Sequence, residues 1–352
     1  MRKFKAFFIS HALIAFTLLY AQENYETAFK HYIEEMVLDG NISSVSRVVC
    51  QNGNCRIDDL VVVLADPESG VLSSLSAAQF KVINVRNFMA LENRELAIAE
   101  GEERKFGFEI KDIRVDGHNL LFDEQRMRKE LGGKSLLLRY FQQHLNTPTD
   151  GSYRLILRKQ SGDIKMQDSG RLTIGKFELT EKIKYTIKGG LEELERLSAE
   201  NPVGMFSYIV INSVEIGLKN PKGFFRKLLY INYKEQMQKA AADEERAKIN
   251  ARYYLSDDKL HSETEFGEML RVNARIRIKE QGQKDPDFNL FINTNRQFEK
   301  KIDAILSGES DGVSIKINNP HGLSLSDFFI IFMGYAMQDE FIVKPDIMIT
   351  IQ

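Results

Sequence analysis

The feature that most constrains the fold is a short segment that occurs twice in the chain. VEIGLKNPKGFF begins at Val214 and VSIKINNPHGLS begins at Val313, with Val, Ile, Asn, Pro and Gly at matching positions. Apolar residues in each copy alternate with polar ones, which is typical of a half-buried strand. Proline ends a strand because it has no N–H to donate, and glycine accommodates a sharp turn. Each copy therefore predicts a strand, a turn and a following helix, a pattern that we call a joint.

Two further copies extend the pattern. LVVVLADPESGVL begins at Leu60 with one residue inserted before the glycine, and a weaker copy without proline begins at Ile183. Because Lys222 in one turn is replaced by His321 in another, we interpret the joint as structural and not as a binding loop. The predicted turn residues are Asp66, Pro67 and Gly70, Asn220, Pro221 and Gly223, and Asn319, Pro320 and Gly322. The predicted helices cover about residues 71–79, 191–199, 223–236 and 324–338.

Residues 1–21 predict a secretory signal peptide. Arg2, Lys3 and Lys5 precede an apolar run, and Ala21 offers a small residue for cleavage. The apolar run is shorter than the roughly 20 residues that span a bilayer as a helix, and an uncleaved N-terminal anchor is the alternative. No later segment reaches that length. We therefore expect a periplasmic or secreted protein with no transmembrane span in the mature chain.

The chain has two cysteines, Cys50 and Cys55, which flank the segment QNGN between two strand-like runs. Asn and Gly tolerate the positive φ of tight hairpin turns, so the two thiols are expected to face each other. In an exported protein they would form a disulfide, worth about 2–3 kcal/mol at most for so short a loop. A redox or metal site is the alternative, but C-x4-C fits neither a thiol oxidoreductase nor a complete zinc site.

The composition indicates a folded protein with balanced charge. Apolar residues make up 43% of the chain, and 48 basic residues stand against 50 acidic ones. A nucleic-acid-binding protein would need a basic face, so no nucleic-acid partner is expected. A chain of this length predicts two or three structural units.

Strand-like stretches between the joints predict antiparallel pairing. Residues 152–190 alternate through successive runs separated by turn residues, which is typical of a meander. The other predicted strands are 271–280, 287–293 and 341–352, and the other predicted helices are 24–38, 120–145 (a pair), 234–252 (long and exposed) and 296–307. The sequence thus predicts an α+β fold of several tandem units, each an antiparallel sheet with a packed helix, in an elongated molecule.

The predicted organisation has four segments after the signal peptide. Residues 22–105 hold the N-terminal helix, the disulfide hairpin and the first joint, and residues 106–200 hold the helix pair and the meander. Residues 201–295 contain the long exposed helix, and residues 296–352 form a helix–strand–helix–strand unit.

No pattern in the sequence predicts a catalytic, cofactor or metal site. Residues 308–312 match G-x-S-x-G, but that motif requires a strand before the serine and a helix after it. Here a helix is predicted before the serine and a strand after it, so we interpret the segment as a polar loop. HExxH is absent, and no acidic cluster has the spacing of a calcium loop. We therefore assign no catalytic residue, no metal ligand and no cofactor.

The last predicted helix contains a run without charged side chains, FFIIFMGYAM, which starts at Phe328. A helix that is apolar all round is buried or contacts lipid. Phe328, Phe329, Ile331 and Phe332 are the candidate apolar contact surface for an acyl chain or a membrane partner. Burial in the protein core is the alternative.

The signal peptide and the joints at Leu60, Val214 and Val313 resemble exported, repeat-built, β-rich periplasmic proteins of Gram-negative bacteria, such as AsmA-like proteins. The resemblance implies envelope maintenance or lipid movement and carries over no functional residue. The first hypothesis is an exported, non-catalytic envelope protein that binds a lipid, a polymer or another protein along a repeat-built surface. The alternatives are a secreted host-interaction factor and a hydrolase whose carboxylates meet only in the fold.

Overall fold

The computed structural model describes residues 25–65, 72–93, 96–119, 122–201, 204–253, 255, 257–286, 289, 292–293, 297–319, 322–327 and 348–351. Several predictions fall on the remaining residues. The signal peptide, the turn residues Asp66, Pro67, Gly70 and Pro320, and the apolar residues Phe328, Phe329, Ile331 and Phe332 lie outside the described residues.

Helices and antiparallel strands alternate along the described chain, so the α+β fold class is confirmed. The strands are β1 (Arg47–Gln51), β2 (Asn54–Ala65), β3 (Leu72–Ile83), β4 (Glu103–Val115), β5 (His118–Asn119), β6 (Thr149–Gln160), β7 (Asp163–Ile174), β8 (Phe177–Ile187), β9 (Ile209–Lys219), β10 (Gly312–Asn318) and β11 (Met348–Ile351). The helices are α1 (Tyr25–Leu38), α2 (Val85–Glu92), α3 (Glu124–Leu131), α4 (Leu136–Leu145), α5 (Gly190–Glu200), α6 (Phe224–Lys239), α7 (Asp243–Arg252), α8 (Glu263–Lys284) and α9 (Phe298–Ser307).

The chain divides into two units that are interleaved along the sequence. Unit 1 consists of Met1–Leu120, Pro148–Gly170 and Ile187–Leu191, and unit 2 consists of Leu121–Thr147, Arg171–Thr186 and Glu192–Gln352. The predicted meander is present, because β7 lies between β6 and β8 in the strand order. The four consecutive segments expected from the sequence stay a prediction, as does the elongated shape.

Unit 1 packs α1 and α2 on the strands β1, β2, β3, β4 and β6. The rings of Phe29, Phe88, Phe106 and Phe108 form successive contacts with centroids about 6 Å apart. Such edge-on aromatic pairs add stability beyond the area that they bury. This aromatic cluster joins the helices to the sheet in the core of the unit, which also contains the fully buried Val82 and Leu157.

The predicted disulfide hairpin is confirmed in unit 1. Cys50 lies directly opposite Cys55 in the β1–β2 register, and the two are bonded. The turn residues Asn52 and Gly53 have φ of 55° and 73°, as the tightest hairpin turns require. The Glu26 carboxylate accepts a hydrogen bond from the Gly53 N–H at 2.8 Å, which ties the turn to α1.

The helix predicted over residues 71–79 is wrong, because Leu72–Ile83 forms β3. Leu72 and Leu75 have helical spacing, yet β3 pairs with β2 on one side and with β4 on the other. The backbone hydrogen bonds of two neighbouring strands override a weak local preference in this way. The first joint is therefore a strand-to-strand connection.

Three further predictions are corrected in unit 2. Residues 271–280, predicted as a strand, lie in α8, which begins with a capping box between Ser262 and Glu265. The helix predicted over 234–252 is divided between α6 and α7 and buries Met237 and Asn250. Of the predicted strand 287–293, the described residues are helical. For residues 271–280, the capping box that starts α8 outweighs the apolar alternation.

Candidate functional site

The second and third joints meet each other in unit 2. Strand β9 pairs with β10 in antiparallel register, and Ile216 lies directly opposite Ile315. These two residues occupy the same position in the two copies of the motif. The two copies are consequently related by an approximate two-fold axis that passes between Ile216 and Ile315.

The turns that follow the strands obey the same relation. The Asn220 N–H donates to the Asp311 carbonyl at 2.6 Å, and the Asn319 N–H donates to the Asn212 carbonyl at 2.9 Å. Each asparagine thus bonds to the other copy of the motif. Asn212 lies eight positions before Asn220, and Asp311 lies eight positions before Asn319. Both asparagines are buried. Because the spacing is the same in both copies, matching hydrogen bonds form on the two sides of the axis.

The glycines of both joints have the backbone conformation that the motif predicts. Gly223 has φ of 72° and Gly322 has φ of 66°, a left-handed region that residues with a Cβ enter at a cost. Strand β9 therefore turns directly into α6, as predicted. The third joint agrees with its prediction as far as the described residues extend, with helix from residue 325 to 327.

Helix α6 is anchored at its first residue. The Phe224 ring is buried, with the ring of Tyr140 stacked at 5.2 Å and that of Phe177 edge-on at 4.5 Å. The next polar anchor is Glu235, whose carboxylate accepts hydrogen bonds from the Ser135 hydroxyl and from the first backbone N–H groups of α4. These contacts explain why the second joint is followed by a helix.

The joints leave one face of β9 and β10 apolar. We define the repeat face as Leu179 of β8, Val214, Ile216 and Leu218 of β9, and Val313, Ile315 and Ile317 of β10. Thr180 and Gly217 approach each other on the opposite face, so their neighbours Leu179 and Ile216 both point to the repeat face. The cross-strand pairs of the opposite face are polar and include Glu215 with Lys316.

The centre of the repeat face is open to solvent. Ile216 is 50% exposed, Ile315 is 43% exposed and Leu179 is 40% exposed. Single exposed apolar residues are common on protein surfaces, but a contiguous apolar patch marks a site of interaction. The repeat face is therefore the strongest candidate for a binding surface in the described part of unit 2.

Unit 1 contains a carboxyl group that the sequence did not single out. Glu92 ends α2 and is buried, and neither of its oxygens has a hydrogen-bond partner among the described residues. Burial raises the pKa of Glu92 to about 7. The buried Tyr32 of α1 has its pKa raised by burial and, to a smaller extent, by Glu92.

Unit 2 contains a His–Asp pair, His261 and Asp257, that no sequence motif indicates, and its contacts stabilise a loop. The His261 Nε2 lies 2.9 Å from the Asp257 carboxylate, and this hydrogen bond lowers the pKa of Asp257. The buried Asn250 donates to the carbonyls of Asp257 and Lys259. The group holds the loop between α7 and α8 against the core.

The described residues show few features of a small-molecule or metal site. Among them, no three His, Cys, Asp or Glu side chains are grouped as a metal site would require. Helices α7, α8 and α9 line an open cavity of about 230 Å³, which is below the roughly 300–1,000 Å³ of ordinary ligand pockets. No helix in the described ranges combines the length and apolarity needed to cross a membrane.

The chain has no match among protein-family models or curated protein sequences. The resemblance to AsmA-like proteins therefore stays a prediction, and the candidate surface is argued from geometry alone.

Proposed function

We propose that the protein is exported and that it binds another envelope protein through the repeat face, without catalysing a reaction. The observation that carries this proposal is the solvent exposure of Ile216 and Ile315 at the centre of two paired joints. The bonded pair Cys50–Cys55 supports export, because disulfides persist in oxidising compartments. The expected location is the periplasm or the outside of the cell.

The shape of the repeat face favours a protein partner over a lipid. Its side chains stand on a paired antiparallel sheet, with Ile216 beside Ile315 and Leu218 beside Val313. A small ligand is normally enclosed on most of its surface by a concave pocket, whereas a sheet surface can pack against another protein. A bound acyl chain or polymer then becomes an outcome of the test.

The test places a photo-crosslinking amino acid at Ile315 or at Ile216 in living cells that express the full chain. We expect both positions to give the same adduct with one envelope protein, on a chain that has lost residues 1–21. Glu215, the neighbour of Ile216 on the opposite face, is the matched control position and should give no such adduct.

A second variant links the adduct to the apolar surface. Ile315→Asp should abolish the adduct formed from position 216, because a carboxylate would have to be desolvated in the interface. If the only adducts are with lipid, the partner of the repeat face is a lipid and not a protein. Adducts only within the chain, or none, would contradict the proposal.

A further inference from the structure

The carboxyl of Glu92 differs from the other carboxyls near α1 and α2. Glu26 accepts a hydrogen bond from the Gly53 N–H at 2.8 Å, and Glu102 accepts one from the Ala99 N–H at 2.9 Å. Glu92 is only 8% exposed and has no hydrogen-bond partner for either oxygen within the described ranges. A buried carboxylate without a partner is unfavourable, and such a group avoids the cost by holding a proton.

Among the described residues, α1 and β4 make the most extensive contacts with α2, and neither supplies a cation beside Glu92. The β1–β2 hairpin meets the opposite end of α2, where the Val85 N–H donates to the Gly53 carbonyl. From α1, the titratable group beside Glu92 is the phenol of Tyr32, while the charged side chains Lys30, His31, Glu34 and Glu35 are exposed. The charged residues of β4 near α2 are Arg104, which pairs with Glu102 at 2.7 Å, and Lys105, which is exposed. On α2 itself, Arg86 lies over the Tyr25 ring.

The two ends of α2 are held differently. At the first turn, the Asn84 side chain accepts from the Asn87 N–H, and the Asn87 amide donates to the Lys105 carbonyl at 2.9 Å. In the middle, Phe88 packs against Phe29 and Tyr32. Glu92 occupies the last turn, where its own carboxyl contributes no hydrogen bond among the described residues. The last turn is thus the part of α2 whose packing depends on the charge of one side chain.

We propose that Glu92 is a proton-dependent latch, which keeps the last turn of α2 packed against α1 while its carboxyl is protonated and releases that turn when the proton is lost. The latch lies in unit 1, whereas the repeat face lies in unit 2. It makes the environmental pH a control on the N-terminal part of the protein.

The direction of the pH effect follows from the raised pKa of Glu92. The pKa of Glu92 rises from an ordinary 4.5 to about 7 on folding, so the packed state binds the proton more tightly than the open state. The stabilisation is complete below about pH 4.5 and is lost as pH rises through about 7. Packing of the last turn should accordingly weaken between mildly acidic and mildly alkaline solution.

Amide hydrogen exchange of the full chain at pH 5.5 and pH 8.0, corrected for the intrinsic exchange rate, tests the latch. We expect the opening constant of the last turn of α2 to increase about 30-fold between the two values in the wild type. Glu92→Gln, which has nearly the same shape and no charge, should show no such increase. Glu35→Gln, on the exposed side of α1, is the matched control and should behave as the wild type.

The wild type alone decides the proposal if Glu92→Gln fails to fold, which circular dichroism at pH 5.5 would reveal. An opening constant that does not change with pH in the wild type would overturn the latch. An equal increase in Glu92→Gln and in the wild type would assign the effect to another group and would also overturn it.

Discussion

Val62 in unit 1 and Ile216 in unit 2 occupy the same position of the same motif but have opposite environments. Val62 is 8% exposed, whereas Ile216 and its third counterpart, Ile315, are 50% and 43% exposed. In unit 1, Val62 pairs with Leu75 of β3, and β3 pairs on its other side with β4. In unit 2, Ile216 pairs with another copy of its own motif. The motif therefore defines a strand and its end, while the neighbouring strands decide whether that strand is buried.

The residues after the turn differ as well. After Gly223 the sequence reads FFRKLL, and its apolar residues fall on one face of a helix. The first of them, Phe224, is buried among aromatic rings. LeuSerSerLeuSer begins β3 after the first turn, and serine competes with the helix by hydrogen-bonding to nearby backbone groups. A strand that ends at a proline and a glycine can thus be followed by either a helix or a strand.

The largest expected effect comes from placing a charge at the two equivalent positions. Val62→Asp should lower the free energy of unfolding by about 4 kcal/mol or more, because an unpaired charge would be buried. Ile216→Asp should lower it by no more than about 1 kcal/mol, since half of the Ile216 side chain is already exposed to solvent. Urea unfolding followed by circular dichroism would measure both variants. Equal losses would show that the repeat face is part of a core, and would remove the basis of the proposed binding surface.

A smaller effect is expected at the turn that leads to α6. Gly223→Val should lower the free energy of unfolding by about 1–3 kcal/mol, because a β-branched residue is strained at φ of 72°. The space itself is open, since the nearest atom to an added Cβ is a guanidinium nitrogen of Arg226 at 3.8 Å. Gly223→Asn is the control, because asparagine tolerates the left-handed region better. A similar loss in both variants would assign the effect to packing.

The elements that could be predicted from the sequence are those with strong local chemistry. Asn52 and Gly53 favour a tight turn, which places Cys50 opposite Cys55. Pro221 and Gly223 end β9 and allow α6 to begin. Both outcomes depend on backbone preferences of a few adjacent residues, and tertiary contacts agree with those preferences.

The elements that could not be predicted depend on distant partners. Strand β3 exists because β2 and β4 lie on either side of it. The alternating Val272, Ala274, Ile276 and Ile278 suggested a strand, but the capping box at Ser262 and the ion pair of Arg271 with Asp303 place them on α8. The exposure of Ile216 and the burial of Glu92 leave no local signal at all, because each depends on what the fold brings near.

The smallest expected effect concerns the residue that differs most between the joints. Lys222 is exposed in the turn after β9, and the third joint has His321 at the same position. Lys222→Ala should change the free energy of unfolding by less than about 0.5 kcal/mol and should leave the crosslinking adduct from position 315 unchanged. Denaturant unfolding and the crosslinking yield measure the two quantities. Loss of the adduct with unchanged stability would show that the turn contacts the partner directly, and the joint would then serve recognition as well as architecture.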